Sequence, residues 1–526
     1  MNIKKSFLLL ILIFITVSIV YSQYTNIMIS NQSSPNEVSI CINPKNLNQV
    51  VAGANIASEY YSTDGGLTWT RQTMTSTYGV WGDPIIMVDT NSNFYFFHLS
   101  NATAWIDRMV CQKSTNGGIT WNNGSYAGLN PPKKEDKEGV VIDRRNNVIY
   151  MTWTEFDSYI SNPPQTDSSR ILFAKSTDAG ATWVPSGPGM RIDKLGGDCI
   201  DADNTVEGAV PAVGPNGEVY VAWSGPKVRN SQYGIFFNKS TNGGQTWLTT
   251  PTYICDQPGG WDYNINGIQR CNGLPQTVCD VSNGPYRGTI YINWTDSAGN
   301  LDHDVRLIKS TNGGLNWSSV KRVNNDPAGK EQFFTWMTID QVTGYLYFVF
   351  YDRRNYTDNL TTDVYMARST NGGETFTNFV VSSTPFVPGG AFFGDYNGIT
   401  AHAGKVRPIW TRMVGSQLSV WTAIVDFPTD VENNISNIPS KYELSQNYPN
   451  PFNPVTSIKF QLPEAGFTAL KVYDILGNEV AVLANEKRDA GSYEAHFNGD
   501  GLSSGVYYYK LTSGNFSDTK KMMMIK

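Results

Sequence analysis

Short runs of alternating apolar and polar residues, separated by turn residues, fill the chain from about residue 38 to residue 427. GVVIDRRNNVIYMTWTE (139–155), AVPAVGPNGEVYVAWSG (209–225) and WMTIDQVTGYLYFVFYD (336–352) share one design: an apolar strand, a polar turn, then a strand rich in Tyr and Trp. Period-two alternation bounded by turn residues predicts antiparallel hairpins. A third strand follows, as in ILFAKST (171–177) and VYMARST (364–370). With these strands named A, B and C, and D after the next turn, the unit is a four-stranded sheet. Hairpins begin near Val38, Pro84, Gly139, Ala209, Pro275, Phe334 and Tyr396, so seven such sheets are expected.

The C–D turn carries a signature. STDGGLTW (62–69) returns as STNGGITW (114–121), STDAGATW (176–183), STNGGQTW (240–247), STNGGLNW (310–317) and STNGGETF (369–376). Its Asp or Asn can bond nearby backbone amides, and Gly supplies the positive φ of a tight turn. Four of the six acid positions hold Asn (Asn116, Asn242, Asn312, Asn371), which a turn tolerates and proton transfer or metal ligation would not. The copies start 52 to 70 residues apart, a spacing that suits propeller blades. The last hairpin runs into LSVWTAIVDF (418–427) with no box, and YTNIMIS (24–30) is a strand with no A–B–C before it. That strand is expected to supply the missing D strand, closing the ring and leaving no open edge. The expected fold class is all-β: a seven-bladed β-propeller, with six blades as the alternative, followed by a small β-sandwich.

Alternating strand direction puts the A–B turns and the boxes on one face, and the B–C loops, D–A loops and A-strand starts on the other. The second face carries Asp83, Glu138, Glu155, Glu207, Asp296, Glu331, Asp352, Arg353, Arg354, Asp395 and Arg412, which makes it the expected ligand face. GGDCIDADNTVEG (196–208) gathers Asp198, Asp201 and Asp203, hard oxygen donors suited to Ca2+, although the spacing is not that of an EF-hand. Arg353, Arg354 and Arg412 follow B strands and offer guanidinium forks for a carboxylate, a substrate-binding role. FFGDYNGI (392–399) places Asp395 and Tyr396 at an A-strand start.

The repeated box closely resembles the Asp-box, or BNR repeat, of bacterial sialidases and related glycoside hydrolases. That resemblance implies a propeller, and an exo-glycosidase in which a tyrosine is the nucleophile beside an acidic partner. Tyr396 matches the tyrosine, and Glu155, Glu207 and Asp395 are the candidate catalytic carboxylates. Family sialidases have six blades and an Arg-Ile-Pro motif; nothing here matches that motif, Arg191-Ile192-Asp193 being incomplete and out of place.

Lys4 and Lys5 precede an apolar run from Phe7 to Val20, which reads as a secretory signal peptide over residues 1–22. No later segment is apolar and long enough to span a bilayer. The net charge of −6 is modest and no basic patch stands out, which argues against nucleic acid. Of six cysteines, Cys41, Cys111 and Cys279 lie in strand-like runs as expected buried thiols, whereas Cys199, Cys255 and Cys271 lie in loops, with Cys255–Cys271 the expected bridge. Residues 23–427 form the propeller and 428–441, PTDVENNISNIPSK, a polar linker. From 442 to 526 about seven alternating strands with Gly and Pro turns predict the sandwich. YPNPFNP (448–454), ALKVYDILGNEV, GVYYYKL and the basic end together resemble the C-terminal sorting domain of the type IX secretion system. The resemblance implies transit through the periplasm to the outer-membrane surface or beyond, with the type IX machinery as partner.

Three function classes follow: a glycoside hydrolase acting on extracellular glycans or glycoproteins, a glycan- or protein-binding propeller, and a structural surface protein. No cofactor is required by any of them, and Ca2+ is the one candidate ion.

Overall fold

Every regular element among the described residues is a β-strand. The computed structural model describes residues 24–159, 167–228, 231–297, 302–390, 392–428, 441–488 and 490–525. The expected signal peptide and most of the expected linker lie outside them. Contacts divide the chain into two compact units, 1–429 and 430–526.

In the first unit the strands form seven four-stranded antiparallel sheets. Their first strands are Ser39–Ile42, Ile85–Val88, Lys134–Asp143, Glu207–Val213, Gln276–Cys279, Gln332–Asp340 and Gly398–His402. Each first strand neighbours that of the next sheet, and the seventh neighbours the first. All seven line one cavity of about 540 Å³, an axial channel. The seventh sheet takes its outer strand from the other end of the chain: Thr25–Ser30 pairs antiparallel with Gln417–Asp426, Thr25 opposite Ile424. That strand covers its neighbour's edge, so the two ends of the unit close within one sheet.

The boxes are turns with one repeated hydrogen-bond pattern. Ser62 Oγ accepts from Gly66 N at 2.9 Å and Asp64 Oδ1 accepts from Thr68 N at 2.9 Å. Asn116 Oδ1 accepts from Thr120 N at the same distance, so the amide replaces the acid without loss. Gly244 lies so close to Phe173 of the preceding sheet that a Cβ there would overlap the ring, and Gly314 meets Phe237 in the same way. Trp247 and Trp317 then pack edge-on against those rings, at 4.9 and 5.1 Å between centroids. The box thus serves both as a turn and as a wedge between sheets.

All six cysteines are free. The expected Cys255–Cys271 bridge is not formed, because the two side chains serve different cores: Cys271 is buried among Tyr263, Phe333 and Val349, and Cys255 packs beside Ile235 and Trp294.

The second unit has a three-stranded sheet, with Val455–Leu462 between Glu443–Leu444 and Gly491–Asn498. Its four-stranded sheet runs Glu479–Arg488, Gly466–Tyr473, Gly505–Ser513, Phe516–Met524. Ile458, Phe460 and Phe497 from the first and Leu470, Val472, Tyr509 and Leu511 from the second share one core.

Candidate functional site

The first strands enter the channel through a repeated backbone feature. Glu37 (φ 49°), Asp83 (φ 51°), Lys137 (φ 52°) and Phe334 (φ 50°) are non-glycine residues in the left-handed region, and Gly208 (φ 72°) occupies the corresponding place in the fourth sheet. In Lys134–Asp143 the pairing slips between Asp136 and Gly139, a bulge that leaves Lys137 and Glu138 out of the ladder. Bulges re-aim side chains, and left-handed backbone costs L-residues about 1–2 kcal/mol each. The three charged residues held this way meet in one ion cluster, and strained positions of this kind concentrate where function requires them.

Lys137 is its hub. Its Nζ lies 2.7 Å from Asp395, 3.3 Å from Asp83 and 3.9 Å from Glu37. Arg270 reaches the same carboxylate from a loop between the short strands Asp262–Tyr263 and Cys271–Asn272, its Nε donating to Asp395 at 2.9 Å and its Nη1 to Asp201 at 2.9 Å. The Tyr159 hydroxyl sits 3.0 Å from Asp136 and 3.1 Å from Asp201. A phenol has one proton for two carboxyl oxygens, so a proton on Asp136 completes the chain Asp136–Tyr159–Asp201.

Acids outnumber cations here, and their protonation divides accordingly. Burial raises Glu37, Glu138 and Glu207 well above the usual carboxyl range, with neighbouring acids adding to the effect. Both carboxyl oxygens of Glu138 and of Glu207 are buried without a hydrogen-bond partner, as neutral acids in an apolar surround would be. Burial, partly offset by Lys137, pushes Asp136 up to about 7. Asp395 goes the other way: against the burial that would raise it, Lys137 and Arg270 hold it well below the ordinary range. Carboxyls driven apart in this manner are what acid–base chemistry at one site needs.

Beside the cluster opens a cleft of about 390 Å³, lined by Glu37, Asp83, Asp136, Lys137 and Arg270 and walled by Trp81, Trp105, Tyr159 and Phe392. Trp81 and Trp105 are exposed and meet edge to face at 6.5 Å, and Trp105 meets Tyr159 at 5.3 Å. Arg270 stacks over Phe392 at 5.4 Å. Exposed indole faces beside carboxyls are suited to a polyhydroxylated ligand with apolar ring faces.

The second unit accounts for where this cleft operates. Residues 446–526 match the family described as secretion system C-terminal sorting domain, and residues 60–71, around the first box, match BNR/Asp-box repeat. The chain thus carries a secretion-system C-terminal sorting domain and a BNR/Asp-box repeat. The sorting domain directs it to the cell surface or the extracellular space. No curated protein matches the chain. Among solved structures, a protein of unknown function from Dyadobacter fermentans shares 11% identity at TM-score 0.44, over 77% of this chain and 99% of its own. A Hadza microbial sialidase shares 14% at 0.42, over 72% and 74%. An alpha-L-arabinofuranosidase of Fusarium graminearum, in complex with arabinobiose, shares 13% at 0.41, over 63% and 92%.

The sequence-predicted residues divide between the cluster and the scaffold. Asp395 is at the centre of the cluster, Glu207 is buried within its field, and Tyr396 lines the adjoining channel with its ring 5.6 Å from Trp336. Glu155 is elsewhere: Lys133 at 2.9 Å, Arg170 at 2.5 Å and Asn130 at 2.7 Å absorb its carboxylate within its own sheet. The three arginines expected to bind substrate are likewise engaged by neighbouring groups. Arg353 is buried, donating to Thr362 and to the Asn359 carbonyl, and burial pulls it down to about 10. Arg354 pairs with Asp352 at 2.6 Å and stacks over Tyr365. Arg412 lies over Trp421 and donates to the Pro385 carbonyl at 3.3 Å. The cations that face the cleft are instead Lys137 and Arg270. Asp198, Asp201 and Asp203 do not converge: Asp198 accepts from Ile200 N, Asp201 serves Arg270 and Tyr159, and Asp203 accepts from Asp262 N. Among the described residues no group of three or more His, Cys, Asp or Glu is placed to hold a metal ion.

Proposed function

We propose that this protein is an exported glycan-directed propeller that holds an extracellular glycan in the cleft at its channel mouth and cleaves a glycosidic bond there. The observation that carries the reading is the cleft itself, an aromatic wall beside the raised Asp136 carboxyl, with the lowered Asp395 carboxylate held behind the lining Lys137 and Arg270. Asp136 is the proton donor to the leaving oxygen in this scheme; water adds to the anomeric carbon, and the proton that this water loses restores Asp136 by way of Tyr159 and Asp201. Asp395, kept ionised by Lys137 and Arg270, is the anion that stabilises positive charge developing on the sugar ring. The seven cyclically contacting sheets support a seven-bladed ring over residues 23–427, and the two sheets around one core support a sandwich over 442–526.

The test is release of reducing ends or aglycone from a broad panel of glycans and fluorogenic glycosides by the mature protein. Asp136→Asn is expected to lower kcat at least about 100-fold, the usual worth of a general acid, with the fold intact by circular dichroism. A full-rate variant would end the catalytic assignment. One observation favours a second reading, a binding module without catalysis: every oxygen of Asp395 that faces the mouth is already committed to Lys137 or Arg270. Glycan binding with no cleavage across the panel would decide for it.

A further inference from the structure

Below the ion cluster, the axial channel has a wall that the cleft chemistry does not use. Alternation along the first strands turns every second side chain inward. The wall so made is largely apolar: Ile85, Met87, Val141, Val210, Val278 and Trp336 line it half-buried, interrupted by the small hydroxyls of Ser39, Thr338 and Thr400. Apolar cavities take apolar guests, and 540 Å³ lies within the range of about 300–1,000 Å³ usual for ligand sites.

The two ends of the channel differ in charge. At the cleft end Lys137 is engaged by Asp395 and Asp83, and Glu138 adds a further acid. At the box-face end Asp143, Arg144, Arg145 and Arg287 line the opening, in or beside the A–B turns of the third and fifth sheets. Arg145 neutralises Asp143 through hydrogen bonds of 2.9 and 2.6 Å. Arg287 donates to the Ser282 carbonyl at 2.8 Å, which positions its charge without cancelling it. Arg144 is exposed and, among the described residues, pairs with no carboxylate, its neighbour Arg145 having taken Asp143. Its charge reaches Cys41 in the first sheet and His402 in the seventh, so the guanidinium lies toward the opening.

We propose that the channel binds the unbranched alkyl chain of a single-chain anionic amphiphile, of which a medium-chain fatty acid is the simplest, with the carboxylate held by Arg144 at the box-face end. A guanidinium fork grips a carboxylate through two parallel hydrogen bonds, and the acids at the opposite end fix the orientation. From Gly139 to Asp143 the wall is about 16 Å long at ~3.3 Å per residue, room for a chain of about ten carbons. The site is independent of the glycan reading.

Titration calorimetry of the mature protein tests this with decanoate below its micellar concentration, decan-1-ol and butanoate, beside co-sedimentation with phosphatidylglycerol vesicles. The expected result is one decanoate per protein, bound at least about tenfold tighter than the alcohol, with no heat from butanoate and no protein on the vesicles. Arg144→Gln, at an exposed position, should weaken decanoate about tenfold and leave the alcohol unchanged. Met87→Gln, which sets an amide in the apolar wall, should weaken both about tenfold. Decanoate bound no tighter than decan-1-ol, or bound equally by the Arg144→Gln variant, overturns the proposal. So does equal binding of butanoate, which marks a surface anion site, and so does adsorption to vesicles in place of decanoate binding. Absence of decanoate binding by folded protein overturns it as well, and none of these results bears on the glycan panel.

Discussion

A single lysine organises the mouth. Lys137 is nearly buried and faces the carboxylates of Asp395 and Asp83, so its loss would leave uncompensated buried charge. Lys137→Met is expected to destabilise the first unit by about 3–5 kcal/mol, measured by denaturant unfolding; a loss under 1 kcal/mol would mean the cluster is solvated. Asp136 gives a pH signature. Its folded value of about 7 lies above the ordinary carboxyl value of 3.8, so the folded state keeps a proton that the unfolded chain sheds. Stability from this group is therefore full at low pH and lost as pH rises through about 7. Asp136→Asn should gain thermal stability relative to the parent on going from pH 5 to pH 8, and a pH-independent difference between the two would contradict the assignment. In the boxes, Ala179 takes the left-handed place (φ 58°) that glycine fills in the other copies. Ala179→Gly should stabilise the protein by about 1 kcal/mol, read as a rise in melting temperature. Little of the cluster was legible residue by residue. Asp395 could be placed at the mouth because it stands at a strand start, but Lys137 is one charge in the mixed run KKEDKE and Arg270 one in a long loop. Nothing local distinguishes either from a solvated side chain, and their partners lie 258 and 125 residues away.

Elements were far more legible, because strand and turn are written locally. Counting hairpins rather than boxes anticipates the seven sheets, and the unmatched strands at the two ends anticipate the pairing of Thr25–Ser30 with Gln417–Asp426. Deleting residues 24–30 should lower the unfolding midpoint sharply and promote self-association through the bared edge, seen by light scattering; an unchanged midpoint would show that the closing strand adds nothing. The bulge escaped the sequence reading. Period-two alternation places the start of the third A strand at Gly139, whereas the strand runs Lys134–Asp143 and its irregular section carries Lys137 into the mouth. A break in alternation looks like a loop until the partner strand is known. For Glu155 and the three arginines, strand direction fixes which end of a strand a residue occupies and not whether a neighbour claims it: Arg170 holds Glu155, and Asp352 holds Arg354.

At the scale of the molecule, an exported ring carries its cleft at one end of an axial channel, and a separate unit carries the sorting signal. Truncation before Tyr442 is expected to leave a folded propeller that stays in the periplasm, checked by fractionation and limited proteolysis. Glycan binding is proposed at the mouth cleft and not on the box face. Its most direct measurement is the affinity of the mature protein for its best panel glycan, compared among the parent, Trp81→Ala/Trp105→Ala and Leu315→Ala, the last altering an exposed side chain in the fifth box. A loss of at least about tenfold, 1.4 kcal/mol, is expected for the double tryptophan variant and parental affinity for Leu315→Ala; parental affinity in the tryptophan variant would place the glycan elsewhere.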